Sequence, residues 1–421
     1  MRTNAHADLP LHNGHVPPWL ASRMATLGRA IVESIVLEYG KAEFMKRISD
    51  PLWFQSFGAV MGMDWHSSGI TTSVVGALKR AINPISHALG IYVCGGRGKH
   101  SRKTPNELMQ IADKTGLDGQ HLVRCSRLAA KVDNTAIQDG FQIYLHSFIL
   151  TSEGDWAIVQ QGMNAETGYA RRYHWHAAEF ESFIKDPHTS VCGVNQGLIL
   201  NLSHREAAKT QTGILDIVQQ HPTRMLQEIR KISMPAHHDV KSKDVDLRRL
   251  GSVIALANER ELLDFESVLL LEGLGPRTLQ SLTLVSEVIH GTPSRFEDPA
   301  RFSFAHGGKD GNPFPVPLKV YDETVATLRK AVEKAKIGYS DRQKAIKSLH
   351  DTAERLEKNF VPNDNFEKLI EKEWQDTHKY GGRTVMDDWK TGQSFFSFEA
   401  TKDNKRKTKR PAKPTNQLRL F

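Results

Sequence analysis

Phe141-Gln142-Ile143-Tyr144-Leu145-His146-Ser147-Phe148-Ile149-Leu150 is followed, after Thr151-Ser152-Glu153-Gly154, by Asp155-Trp156-Ala157-Ile158-Val159-Gln160-Gln161-Gly162. Aromatic and β-branched residues fill both runs, and turn formers separate them, so the pair reads as a β-hairpin in an otherwise helix-rich chain. This makes the fold class α+β. Gln142, Tyr144 and His146 alternate along the first strand, so that face is either solvated or lines a cleft. Upstream, Ile91-Tyr92-Val93-Cys94 reads as a short strand. Thr104-Pro105-Asn106-Glu107 has the form of a capping box with proline at the first helical position. Residues 20–48 and 71–90 have helical periodicity, the second closing near Pro84. Residues 1–205 therefore form a mixed domain with room for a catalytic cleft. Residues 206–360 are almost wholly helical, and residues 235–249 look like a connecting segment. Residues 361–401 supply a short helix and linker, and residues 402–421 a disordered tail.

Composition narrows the class. The chain has 421 residues, 39% hydrophobic and 25% charged, enough for two globular domains and a tail. The first residues lack the apolar core of a signal peptide, and no apolar run reaches membrane-span length. Cys94, Cys125 and Cys192 are odd in number and widely spaced, which argues against a disulfide framework or a thiolate zinc site. A cytoplasmic, nucleoid-associated protein is expected. Residues 402–421 carry +7 of the formal +8 charge. Lys405, Arg406, Lys407, Lys409 and Arg410 form an arm with little to bury, suited to screening DNA phosphates. A plain solvated tail is the alternative.

Gln417-Leu418-Arg419-Leu420-Phe421 resembles the pentapeptide by which bacterial replication and repair proteins dock on the sliding clamp. Leu418, Leu420 and Phe421 are the apolar anchors, and Gln417 an orienting amide. Val268-Leu269-Leu270-Leu271-Glu272-Gly273-Leu274-Gly275-Pro276-Arg277-Thr278-Leu279 resembles a helix-hairpin-helix motif. Gly273 and Gly275 let the backbone approach a phosphate, and the amides at Arg277 and Thr278 begin a helix that favours an anion. An ordinary helical corner is the alternative. The resemblance extends to helix-hairpin-helix DNA glycosylases, which implies Asp298, after Gly291-Thr292-Pro293, as a catalytic carboxylate that stabilises a sugar cation or activates water. Two departures count against it: Arg277 stands where lyase-type members hold a lysine, and no strand-like run precedes Asp298. Beyond it, the glycine-flanked His306, Lys309 and Asp310 make a second polar string.

In the N-terminal half, Asp64-Trp65-His66-Ser67-Ser68-Gly69 combines an acid, an imidazole and hydroxyls, or simply starts a helix. Gly95-Gly96-Arg97-Gly98-Lys99 lacks Walker spacing, but Arg97, Lys99 and Arg102 suit nucleic-acid phosphates. Lys131-Val132-Asp133-Asn134 resembles the Lys-x-Asp-Gly of nucleotidyl-transferring ligases, but Asn replaces the Gly and no companion motif follows. Arg171 and Arg172, beside Tyr173 and Trp175, suit pairing with phosphates and stacking on bases. The acid plus Glu-x-Lys pattern of two-metal nucleases is missing.

Through the DWHSSG, CGGRGK, KVDN, WAIVQQGMN, ARRYHW, GLGPRT and FAHGGKDG strings, residues 8–355 resemble domain-of-unknown-function family seven-six-three of bacteria and archaea. That resemblance implies a lineage and no activity. The expected function is a DNA-binding repair or replication protein recruited by the clamp. Its favoured form is a hydrolase, nuclease or glycosylase-like, using Asp64, His66, Lys131, Asp133 and His146, or Asp298, His306, Lys309 and Asp310. A divalent metal is an open option. The alternative is a non-catalytic adaptor.

Overall fold

A computed structural model of the chain describes residues 9–10, 16, 18–63, 68–231, 247–302, 318–335 and 337–358. The chain begins with β1 (Leu9–Pro10), α1 (Pro18–Tyr39), α2 (Lys41–Ser49), α3 (Pro51–Val60), α4 (Gly69–Ile82) and α5 (Ser86–Leu89). β2 (Ile91–Arg97) leads through α6 (Thr104–Thr115) and α7 (Gly119–Lys131) to a π-helical turn (Val132–Ala136) and β3 (Ile137–Gln138). Strands β4 (Gln142–Thr151), β5 (Trp156–Met163), β6 (Tyr169–His176), β7 (Ser190–Cys192) and β8 (Leu198–Asn201) follow. The remainder is α8 (Ala208–Gln219), α9 (Pro222–Lys231), α10 (Leu247–Glu259), α11 (Phe265–Leu269), α12 (Pro276–His290), β9 (Phe296–Glu297), β10 (Ala300–Phe302), α13 (Leu318–Lys334) and α14 (Tyr339–Lys358).

The main sheet has the order β10-β7-β6-β5-β4-β2, with β1 also paired to β6. Its pairs are antiparallel except β10 with β7. A small sheet, β3-β8-β9, stands beside it. The β4–β5 hairpin forms as the sequence expects, Leu150 facing Trp156 across the turn. What the sequence misses is that helices cover both faces. Trp156 and Ile158 point into one core with α7, α8 and α10–α12. Ala157 and Val159 point into another with α1–α4, α13 and α14. Period-two alternation therefore yields two buried faces.

The fold is mixed α+β, but the helices beyond residue 205 do not stand apart. Ile214, Ile254, Leu271 and Leu279 share a core with Phe148 and Trp175 of the sheet. Leu328, Val332 and Leu349 of α13 and α14 return to the opposite face. An amphipathic helix shows which side it buries, but not the partner it buries it against.

Several local expectations are corrected. The helix over residues 20–48 breaks at Gly40, whose φ of +87° ends α1 before α2 starts. Gln142, Tyr144 and His146 do not share a face, because a bulge lies between Ile143 and Leu145. Tyr144 meets Gln161 on one side of the sheet, and His146 meets Gln160 on the other. A helix does start at Thr104, but Glu107 makes no reciprocal cap. It accepts from the Gly95 amide at 2.7 Å and from Lys79. A two-residue strand, β9, does precede Asp298. Residues 361–401 and 402–421 lie outside the described residues.

Candidate functional site

Arg171 and Arg172 are fully buried, which corrects their expected place on a DNA surface. Adjacent on β6, they point to opposite faces. Arg171 makes a two-pronged contact with Asp298, Nη1 to Oδ1 at 3.0 Å and Nη2 to Oδ2 at 2.9 Å, and donates to Asp139 at 2.8 Å. Tyr173 also donates to Asp139, at 2.7 Å. Burial opposes the charge on Arg171, and Asp139 and Asp298 together outweigh it, so its pKa is raised. A Cβ at Gly193 would come 2.9 Å from Arg171 Nε, so glycine there permits the close approach. The Asp298 carboxylate also accepts from the amides of Gln196 and Ala300, each at 2.9 Å. Those bonds fill its acceptor capacity and pin the β9–β10 turn to the sheet. This carboxylate is a structural joint, not a group facing a sugar, and the glycosylase assignment of Asp298 loses its geometry.

Asp133 and His146 are brought together, but inside the core. Gln160 Oε1 can only accept, so His146 Nδ1–H donates to it at 2.9 Å. His146 Nε2 then accepts from Ser126 Oγ at 2.8 Å. Gln160 Nε2 donates to Asp133 Oδ2 at 2.5 Å, as does Trp175 Nε1 at 3.0 Å. His188 Nε2 lies 2.5 Å from the other Asp133 oxygen. The donors running from Ser126 through His146 and Gln160 are thereby directed one way, with Asp133 as their final acceptor. Burial pushes the Asp133 carboxyl up, with His188 opposing, and pushes His146 down to about 4. The π-helical turn places Asp133 under β5 and β6, and His188 comes from the loop before β7. No sequence motif marked His188, because it is separated from Asp133 by four strands' worth of chain. Cys125 and Cys192, raised to about 12 and about 11 by burial, are poor thiolates.

Lys131 belongs to neither network. Its Nζ donates to Leu274 O at 2.7 Å and so braces the turn between α11 and α12. Burial, and then Arg249, lower its pKa to about 8. Gln138 Nε2 donates to Pro276 O at 2.7 Å, and Arg249 Nε to Gly273 O at 3.3 Å. Gly273 has φ +80° and sits at the exposed tip with Glu272, while Leu271 and Leu274 anchor the turn in the core. Gly275 caps α12, Pro276 occupies the first helical position, and no side chain caps the amides that follow. The first-turn N–H groups of Arg277 and Thr278 therefore lie outside the intrahelical ladder. Arg277 is exposed and Thr278 is buried.

The glycine string after β2 also reads differently in three dimensions. Gly95 and Gly96 belong to the strand, and a Cβ at Gly95 would lie 2.2 Å from His146 O. Glycine is needed there for strand packing, not to cradle a phosphate. The basic side chains survive as a surface: Arg97, Lys99, Arg102 and Lys103 are exposed, Arg97 lying over the Tyr144 ring.

Ser68 is the first described residue after Asp64 and His66. Its carbonyl accepts from Gln161 at 3.0 Å, next to Arg172, which donates to Gln55 at 2.8 Å and to Thr71 at 3.3 Å. Asp64 and His66 themselves lie outside the described residues. So do His306, Lys309, Asp310, the basic residues Lys405, Arg406, Lys407, Lys409 and Arg410, and the peptide from Gln417 through Leu418 and Leu420 to Phe421. Among the described residues no group of three His, Cys, Asp or Glu side chains is placed to hold a metal ion. Among them, too, no helix is long and apolar enough to cross a membrane.

Comparisons with curated proteins and with solved structures each found no match. A family model described as "Protein of unknown function (DUF763)" matches residues 5–316. The match spans β1 through β10, including the buried networks and the α11–α12 turn, and ends before α13. The chain belongs to that family.

Proposed function

We propose that the protein binds the DNA backbone through the α11–α12 turn as a repair or replication factor, and that it acts as a structure-binding adaptor recruited to the sliding clamp. The observation that carries DNA binding is the turn. An exposed glycine tip and an uncapped helix start with free amides stand among Arg249, Arg277 and Lys131. Oriented amides, a helix dipole and the exposed Arg249 and Arg277, on a turn that Lys131 braces from within, form a phosphate-binding arrangement that reads backbone and not sequence. Clamp docking rests on residues 417–421 as sequence alone, and a nucleoid-associated location follows from the same reading. The adaptor form is preferred because Asp133, His146 and Asp298 are consumed in buried networks and Lys131 in bracing the turn.

A DNA hydrolase, with any metal it needs, is the second reading. What favours it is the buried polar group of Gln55, Thr71, Gln161 and Arg172 on which Ser68 packs, since Asp64 and His66 precede Ser68 by four and two positions.

Gly275→Asp tests the primary reading. Gly275 has φ −123°, and an added Cβ meets only Arg249 Nη2, at 3.7 Å, so the fold tolerates the change. The new carboxylate would stand where the phosphate binds. We expect duplex affinity at low salt to fall about 10- to 100-fold with an unchanged melting temperature, the scale of one lost charge-assisted contact. Wild-type affinity in the folded variant would reduce the turn to architecture.

A further inference from the structure

A groove of about 640 Å³ opens between α6, α7 and the end of α11. Pro105, Met109 and Leu270 give it apolar surface; Asn106, Gln120 and Arg127 supply exposed amides and a guanidinium, with Asp118 also on its wall. It adjoins the hairpin. Lys131, at the end of α7, grips Leu274 O in the turn, and Arg124, seven residues earlier, donates to Glu266 of α11 at 3.1 Å. Arg127 lies between them at i+3 and i−4, hence on the same helix face and along the same seam. Four residues of α7 rise about 6 Å, so Arg127 follows one helical turn along α7 from Lys131, the residue that grips the α11–α12 turn.

We propose that this groove takes an unstacked nucleotide of a single-stranded DNA extension leaving the duplex held at the α11–α12 turn. The chemistry is matched on three counts. Apolar side chains offer a surface to the face of a base, as in sequence-tolerant single-strand binding. Asn106 and Gln120 each present both a donor and an acceptor to its edge. Arg127 supplies a cation for the adjoining phosphate. A base stacked within an intact duplex cannot reach such a groove, so the preferred substrate is a junction between double and single strands. This inference rests on the DNA-binding reading above.

The test uses full-length protein, a blunt duplex, and the same duplex carrying a short single-stranded extension with 2-aminopurine near the junction. Wild type should bind the extended duplex about tenfold tighter, the scale of one stacked base, and change the 2-aminopurine emission. Asn106→Ala combined with Gln120→Ala, and separately Arg127→Ala, should erase that preference and the fluorescence change. Blunt-duplex affinity and melting temperature should stay at wild-type values. Gly275→Asp should weaken both substrates. Equal wild-type affinity for the two DNAs, or a preference that survives in the groove variants, overturns the groove while leaving the hairpin reading intact. Failure to bind either DNA overturns both.

Discussion

Arg171 and Arg172 sit on the central strand with no exposed surface, whereas Arg249 and Arg277 at the α11–α12 turn are in contact with solvent. In sequence the first pair looks the more like a nucleic-acid contact, being adjacent and interleaved with Tyr173 and Trp175. In the fold it is the reverse. Arg171 is neutralised by Asp139, just after β3, and by Asp298, between β9 and β10, both far along the chain, and Arg172 is enclosed with Gln55 and Thr71. A buried guanidinium costs several kcal/mol unless it is compensated, so such residues are fixed in place by their partners and cannot turn outward to a phosphate. The arginines at the turn are not buried: Arg249 donates to Gly273 O and is exposed, as is Arg277. Buried charges should therefore govern stability, and exposed ones binding.

The largest effect is expected where the buried ion cluster is broken. Asp298→Ala leaves Arg171 with Asp139 and the Val194 carbonyl, and strips two backbone amides of their acceptor. A loss of about 3–5 kcal/mol in urea unfolding is expected, the range for removing one partner of a buried pair. A catalytic Asp298 would behave otherwise, the variant folding with near wild-type stability and failing only in turnover. That outcome would break the division drawn above.

The second effect is pH-dependent and belongs to the other buried network. His146 has a folded pKa near 4 against an ordinary 6.5, because burial disfavours its charged form. Between those values the unfolded chain binds a proton that the folded chain refuses. Stability from this site is therefore intact above about pH 6.5, falls as the pH drops towards 4, and is fully lost below that. The swing is up to about 3 kcal/mol. In His146→Gln the difference in unfolding free energy between pH 7 and pH 4.5 should shrink by about 2 kcal/mol. An unchanged difference would mean that His146 titrates normally and that the chain from Ser126 to Asp133 is not closed.

These cases also explain what the sequence could reveal. The β4–β5 hairpin, the helix starting at Thr104 and the Gly-Leu-Gly turn were legible because short-range chemistry specifies them: turn formers, a first-turn proline, glycine at φ +80°. Asp133 and His146 were picked out as polar residues of interest, but their meaning was not legible. It depends on Gln160, Trp175 and His188, which only the sheet register brings within hydrogen-bond reach. The bulge before Leu145 put His146 on the face opposite Tyr144, since one extra residue flips the alternation that a strand reading assumes. Helices on both sides of the sheet turned an expected cleft face into core.

Lys131 lies between the two classes, buried yet serving the surface turn. Its folded pKa near 8, lowered by burial from 10.5, gives a further signature. The unfolded chain holds the extra proton between those values, so this site's contribution to stability rises from pH 8 to 10.5. Lys131→Met removes that rise and leaves Leu274 O without its donor, which should cost about 1–3 kcal/mol at pH 7. If the brace positions the hairpin, duplex affinity should fall in the folded variant as well. A pH profile parallel to wild type between 8 and 10 would show that Lys131 is solvated.

The smallest stability effect is expected on the basic surface after β2, and for that reason it is the sharpest test of the division. Arg97 and Lys99 are exposed; the guanidinium lies 5.7 Å from the Tyr144 ring centre, and neither side chain supports the core. Replacing both by alanine should change unfolding free energy by no more than about 0.5 kcal/mol. If these residues touch DNA phosphates, each lost contact lowers the slope of log affinity against log salt by about 0.9, equally for every duplex sequence. Removing residues 402–413 should lower the slope further, again without affecting stability. A double variant with wild-type salt dependence would confine the DNA interface to the hairpin and its groove. One that melts well below wild type would show that exposed cations also stabilise this fold, and the separation between charges that hold the protein together and charges that bind would fail.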